Sequence, residues 1–281
     1  MALTPSDETA HLEASAVGQR RATPWLLLLA LPILFFLSLP LLALFLRSPL
    51  HQLATNLVRP EVVQAVQLSL TTGALSTLVT LGFGTPLAYL LARHRFRGRA
   101  LMDTLIDLPM ILPPAVAGLA LLITFGRRGL LGAYLDDLGV SIAFTPAAVV
   151  MAQVFVASPF YIKSAISGFG SVDRDLEQAA AIDGANAWRI LQHITIPLAW
   201  PALLGGIVMT WARALGEFGA TIIFAGNFPG RTQTMPLAIY IGLELDLTIA
   251  LTLSTIMLSI SFLVLFVVKR VLHQGVTNRW Q

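Results

Sequence analysis

The sequence predicts an all-α integral membrane protein with six transmembrane helices. The first observation behind this is composition. Of 281 residues, 56% are hydrophobic and only 12% are charged, whereas a soluble domain carries roughly 25% charged residues. With a mean hydropathy of +0.77, no single soluble core could hide so much apolar surface, so lipid must be the solvent for much of it. The second observation is that the apolar residues gather into six stretches, 25–46, 64–92, 101–125, 142–166, 199–224 and 246–268. Each reaches the ~20 residues that a membrane-spanning helix needs. The third is the placement of Lys and Arg, which accumulate in cytosolic loops.

Residues 1–23 are polar, with Asp7, Glu8, Glu13, Arg20 and Arg21, and read as a short disordered cytosolic tail. From 24 to 274 the chain reads as one transmembrane domain, and 275–281 as a second cytosolic tail. A signal peptide competes for 25–46, but the apolar part is too long and no small-residue cleavage site follows. Arg20 and Arg21 hold the start of that first span in the cytosol.

In 64–92, Gly73, Gly82, Gly84 and small hydroxyl residues allow close helix packing, which drives association in lipid. This span runs into Arg93, Arg95, Arg97 and Arg99, the strongest cytosolic signal in the chain. The third stretch, 101–125, is interrupted by Pro109 and by Pro113-Pro114. Prolines free carbonyls that in lipid must be re-satisfied by neighbours or by a wet cavity. A kinked helix and a broken helix lining a pathway both fit. Residues 126–141 are an outside loop, and 142–166 is the fourth span, ending near Lys163. The fifth, 199–224, is followed by an outside segment, 226–245, and the sixth is closed by Lys269, Arg270 and His273. On this threading Arg20, Arg21, Arg93, Arg95, Arg97, Arg99, Lys163, Arg174, Arg189, Lys269, Arg270 and Arg279 are cytosolic. Arg47, Arg59, Arg127, Arg128 and Arg231 lie outside and Arg213 lies inside the membrane, so both termini are expected in the cytosol.

The net charge of +3 therefore marks cytosolic loops, not a nucleic-acid surface. The absence of Cys rules out disulfides and thiolate metal sites, and the five His are scattered with no HExxH, so no metal centre is expected. An intramembrane enzyme would need a nucleophile–base pair or a metal constellation at membrane depth, and no span carries His or Cys.

The longest polar helix-forming segment is 176–198, LEQAAAIDGANAWRILQHITIPL. Asp173 is placed to cap it, and Asp175 and Glu177 complement the dipole of its first turn. Ala179, Ala180 and Ala181 favour helix, while Gly184 disfavours it by about 1 kcal/mol relative to Ala. The expected outcome is a short helix, a bend at Gly184, a second short helix over 187–193, and a membrane helix begun at Pro197. Ala180 and Gly184 are four apart, which would give one smooth helical face. By itself this could be no more than a solvated surface helix.

The same stretch resembles the EAA motif of ABC-importer permeases. Ala179, Ala180, Gly184, Ile194 and Pro197 fall in register, while Gln178 stands at the motif's Glu, with Glu177 just before it, and Ile196 at its Leu. A second resemblance lies in 212–240, ARALGEFGATIIFAGNFPGRTQTMPLAIY, and 108–132, LPMILPPAVAGLALLITFGRRGLLG, which are similar to molybdate and tungstate permeases, with sulfate permeases as close cousins. The resemblance implies a type I ABC importer permease whose loop 171–197 forms a cytosolic coupling helix, with Glu177, Gln178, Ala179, Ala180, Gly184, Ile194 and Pro197 docking an ATPase subunit. It also implies a homodimer, two cytosolic ATPase subunits and an extracytoplasmic oxyanion-binding protein. The transport of molybdate or tungstate would then run by alternating access. A sulfate or thiosulfate permease is the alternative, followed by an ion-gradient-driven secondary transporter.

Arg213 and Glu217 are four apart in the middle of an apolar span, where a charge is costly unless paired or wet. They read either as an internal salt bridge or as part of the path or gate. Candidates to line that path, supplying O–H, N–H or cationic partners for an oxyanion, are Pro113, Pro114, Gly118, Thr210, Arg213, Glu217 and Thr221. GNFPGRT at 226–232 lacks the Lys of a phosphate loop, and it reads as a turn-rich outside surface for a delivering protein. No Walker motif occurs in the chain, so ATP and Mg are expected on a partner subunit, with no cofactor in this chain.

Overall fold

The structure, a computed structural model, describes residues 24–48, 53 and 55–277, all helix, turn or loop with no strand among them. The predicted tail 1–23 lies outside the described residues, as do 278–281 of the predicted C-terminal tail. The chain divides into two compact units at Arg47–Ser48.

The first unit holds α1, Pro24–Arg47, the first predicted span. Its large apolar side chains, from Leu28 to Leu46, are exposed all round, as befits a helix whose solvent is lipid.

In the second unit α2 is Pro60–Arg93, starting four residues before the expected 64 because Pro60 is pre-set for the first turn of a helix. The third span resolves into α3, Arg99–Ile111, and α4, Pro114–Phe125, bent by 115°. That is a broken helix, not a kink. Leu112 and Pro113 each precede a proline and are driven to extended ψ of 134° and 133°. A six-residue α5, Gly132–Asp137, lies in the loop expected outside. The fourth span is α6, Pro146–Gly170, set later than 142 by Pro146 and by the Thr145 cap, which accepts from the N–H of Ala148 at 3.4 Å.

The segment expected in the cytosol holds α7, Arg174–Ile182, and α8, Ala187–Ile190, followed by a π turn at Leu191–Thr195. The fifth predicted span is corrected. Helix α9, Ile196–Leu215, ends at Gly216, and a separate α10, Gly219–Phe224, follows. The segment 226–245, expected outside, contains a helix not expected there, α11, Met235–Leu245, with Met235, Leu237 and Ala238 buried. It is too short to cross a bilayer, yet it packs tightly on α12, Leu247–Thr277, where a Cβ on Gly242 would lie 3.0–3.2 Å from Ala250. Helix α12 includes 275–277.

Among the described residues, five helices can cross a membrane by length and composition, and six if the α3–α4 pair counts as one broken span. The core has three parts. Ala117, Ala152, Val156, Ala220 and Phe224 join α4, α6 and α10. Ala88, Tyr161, Phe169 and Leu203 join α2, α6 and α9. Val62, Leu215, Met235 and Leu253 join α2, α9, α11 and α12. Small residues bring backbones together, as expected in lipid: a Cβ on Gly84 would lie 3.1 Å from Ile162, and one on Gly206 2.8 Å from Ser164. Gly73 serves likewise against Leu215, but Gly82 faces open space.

Candidate docking and translocation sites

The docking candidate begins with α7. Asp173 caps it, its carboxylate accepting from the N–H of Asp175 at 3.0 Å. The helix stops at Ile182, not at Gly184. Gly184 has φ +86°, its N–H donates to Ala181 O at 3.1 Å, and the N–H of Ala185 donates to Ala180 O at 2.9 Å. This is a Schellman close, with Gly in the left-handed position that side chains resist. Ala180 and Gly184 therefore do not share a helical face as the spacing suggested; the glycine terminates the helix and turns the chain. Asn186 then caps α8, accepting from the N–H of Arg189 at 2.9 Å.

Of the predicted docking residues, Gln178, Ala179, Gly184 and Pro197 are exposed, and Ala180 and Ile194 are half-buried. Leu176 and Ile182 add exposed apolar surface, Ile182 at 86%. Glu177 points the other way. Its Oε1 accepts from Arg93 Nη2 at 2.8 Å and from Thr195 Oγ1 at 2.6 Å. Sequence reasoning missed Arg93 and Thr195, since no local spacing links residues 84 apart.

The translocation candidate is the crossing of the two broken helices. A Cβ on Gly118 would sit 2.7 Å from Ala220 O, and one on Gly219 2.7 Å from Pro114 Cβ. The backbones of α4 and α10 therefore touch through two glycines, with their N-terminal ends together. Glu217, with its side chain 1% exposed, pairs through Oε2 with Arg213 at 2.7 Å and accepts from the N–H of Ala220 through Oε1 at 2.8 Å. One carboxylate thus joins the end of α9 to the start of α10. The structure brings Pro114, Gly118, Arg213 and Glu217 to this crossing, together with Thr221 on α10. The Thr221 hydroxyl is buried without a hydrogen-bond partner. Thr210 is spent elsewhere, donating to Ala157 O on α6 at 3.2 Å. Sequence reasoning also missed Gly219, and it missed Lys163 bridging Asp103 at 2.7 Å and Asp107 at 2.9 Å. The i,i+4 spacing of the two acids was the available signal.

A cavity of about 1080 Å³ forms a groove along α2, α3, α4 and α6. It is lined by apolar side chains, and its Thr71 and Thr72 hydroxyls are already donating to carbonyls one turn back. No Lys, Arg or His side chain lines it.

The described residues thus form a bundle of membrane-length helices with one broken span and a short capped helix pair outside the spans. The chain belongs to the binding-protein-dependent transport system inner membrane component family, whose model matches residues 84–278. It is 40% identical over 240 residues to the molybdenum transport system permease protein ModB of Mycobacterium tuberculosis, covering 85% of this chain and 91% of that relative. It is 34% identical to the probable sulfate transport system permease protein cysT of Chlorokybus atmophyticus, covering 88% and 87%. Its fold matches a crystal structure of a bacterial ABC transporter involved in the import of the acidic polysaccharide alginate, with a TM-score of 0.69, 18% identity, and 89% and 94% of the two chains covered. The chain is thus a multi-pass permease subunit of the inner membrane, with the type I ABC importer fold.

Proposed function

We propose that this chain translocates molybdate, or its congener tungstate, as the permease of an ATP-driven importer working by alternating access. The observation that carries the substrate is the 40% identity to a molybdenum permease along 85% of the chain. In this reading two copies form the path, both termini lie in the cytosol, and two separate subunits bind ATP and Mg. Those subunits dock on the exposed side of α7 and its Gly184 turn, over Gln178, Ala179, Ala180 and Gly184, with Ile194 and Pro197 behind. An oxyanion-binding protein delivers the anion to the outer face. The chain itself performs no covalent chemistry and holds no cofactor or metal. Pro113, Pro114, Gly118, Thr210, Arg213, Glu217 and Thr221 remain the candidates for path or gate. The crossing of α4 and α10 is where a small shift of rigid half-helices would open or close it.

The test is proteoliposomes holding this chain with its ATPase subunit and binding protein. ATP-dependent accumulation of molybdate is expected. Uptake by this chain alone under an ion gradient would overturn the reading in favour of a secondary transporter. The sulfate reading has its own support in the 34% identity to a sulfate permease; a partner binding protein with tight sulfate and weak molybdate affinity would establish it.

A further inference from the structure

Three elements meet at one carboxylate oxygen. Glu177 on α7 accepts from Arg93, the last residue of α2, and from Thr195, the last residue of the π turn that opens α9. The Arg93 and Glu177 side chains are 7% and 16% exposed, and Thr195 is fully buried, so the charge pair acts with little water to screen it and removing one partner strands the other. The fastening is reciprocal. Arg93 Nη2 also donates to Val172 O at 3.1 Å, just ahead of the α7 cap, and Arg174 reaches back to Arg93 O at 3.4 Å. Little else positions α7: none of its residues is buried, and it ends in the open turn at Gly184.

We propose that Glu177 is a positioning residue, not a docking contact: through Arg93 and Thr195 it passes displacement of α7 to the spans α2 and α9. This rests on the reading that an ATP-hydrolysing subunit pushes on α7. The outward side of α7 receives the push and the inward side, through Glu177, delivers it. Helix α9 carries it to Leu215, where the Arg213–Glu217 pair joins it to α10 at the crossing. Arg93 also keeps its Nε buried without a partner. A modest rotation of α7 would bring Nε and Nη2 onto both carboxylate oxygens, which gives the pin a second, discrete arrangement.

The test uses the reconstituted complex with molybdate as probe and reads two quantities: ATPase subunit retained, and molybdate moved per ATP hydrolysed. Glu177→Gln is expected to retain the subunit while the ratio falls about fivefold or more, the low end of measured coupling between sites. The double exchange Arg93→Glu with Glu177→Arg is expected to recover part of it. Thr195→Val, which removes one donor at constant shape, is the milder variant that folds in any case and is expected to lower the ratio in the same direction. Loss of the ATPase subunit from Glu177→Gln would place Glu177 on the docking surface and overturn the proposal. So would unchanged ratios in both Glu177→Gln and Thr195→Val. Failure of the wild-type chain to retain any ATPase subunit would instead overturn the underlying reading of α7.

Discussion

Replacing Arg213 by Met keeps the length of the side chain and removes its charge. Glu217 is then left with 1% of its side chain exposed and one remaining bond, from the N–H of Ala220 at 2.8 Å. Breaking a buried pair from one side costs about 3–5 kcal/mol, because an uncompensated charge stays behind. Arg213 is 29% exposed, so water can offset part of this and the lower end applies. Glu217→Gln keeps an amide oxygen for the Ala220 N–H and leaves the unpaired charge on the better-solvated partner, so it should cost about 1.5–3 kcal/mol. The double variant has no stranded charge and should be more stable than Arg213→Met alone, which is a measurable coupling. In lipid nanodiscs heated at a fixed scan rate, Arg213→Met is expected to lower the unfolding midpoint by roughly 10 °C, Glu217→Gln by less, and the pair by less than Arg213→Met. A midpoint for Arg213→Met indistinguishable from wild type would refute the reasoning. Glu217 would then reach water, and the pair would belong to a wet path instead of a joint between helices.

Gly118→Ala puts a Cβ within 2.7 Å of a backbone oxygen and should destabilise by about 1–3 kcal/mol, whereas Gly205→Ala meets nothing within 4 Å and should stabilise α9 by about 0.5–1 kcal/mol; the same heating assay separates them. Gly184→Trp is expected to leave insertion intact, since nothing lies within 4 Å of that position, at a cost of about 1–2 kcal/mol for the left-handed backbone, and to abolish copurification of the ATPase subunit; retention of both subunit and uptake would remove the turn from the docking surface. Asp246, between α11 and α12, is pushed up by partial desolvation but is held below the usual Asp value by the N–H groups of Thr248 and Ile249 and by Arg59. A lowered folded value means its contribution is present above about pH 4 and is lost as pH falls through that value. Asp246→Asn should therefore be less stable than wild type at pH 7, with the difference closing in acid; a difference independent of pH would contradict this.

Most span positions, the short capped helix pair and an irregularity at Pro113-Pro114 were legible because each is written locally, in apolar length, caps and imino acids; whether that irregularity was a kink or a break was not. The register of α7 came from Asp173, and its turn from Gly184. The true end of that helix did not: a four-residue spacing reads as one face only if the helix continues, and the Schellman bonds that end it depend on backbone angles. The break after Leu215 was hidden inside an apolar run whose one proline, Pro201, lies fourteen residues earlier and does not mark it, and α11 was hidden because it is too short for a span. Glu177 shows the commonest limit. Its partners lie 84 and 18 residues away, and nothing in LEQAA says which side of the helix carries the acid inward.

The two breaks explain one another. Irregular backbone at membrane depth is tolerated only where protein or enclosed water satisfies its polar groups. At the first, Leu112 N–H still reaches Leu108 O, while Val116 and Ala117 N–H share Pro113 O. At the second, Gly216 and Glu217 N–H turn back to Ala212 and Ala214, and the buried Ala220 N–H at the start of α10 is met by the Glu217 carboxylate. Each break is then covered by the other, Gly219 against Pro114 and Gly118 against Ala220. Two short half-helices seated on glycine can shift against each other without opening an interlocked side-chain core. A continuous α3–α4 or α9–α10 helix could move only as a whole. The expensive local features of this chain, two prolines in a row and a buried acid at the end of an apolar helix, are thus concentrated where α4 and α10 meet, the place proposed above for the gate.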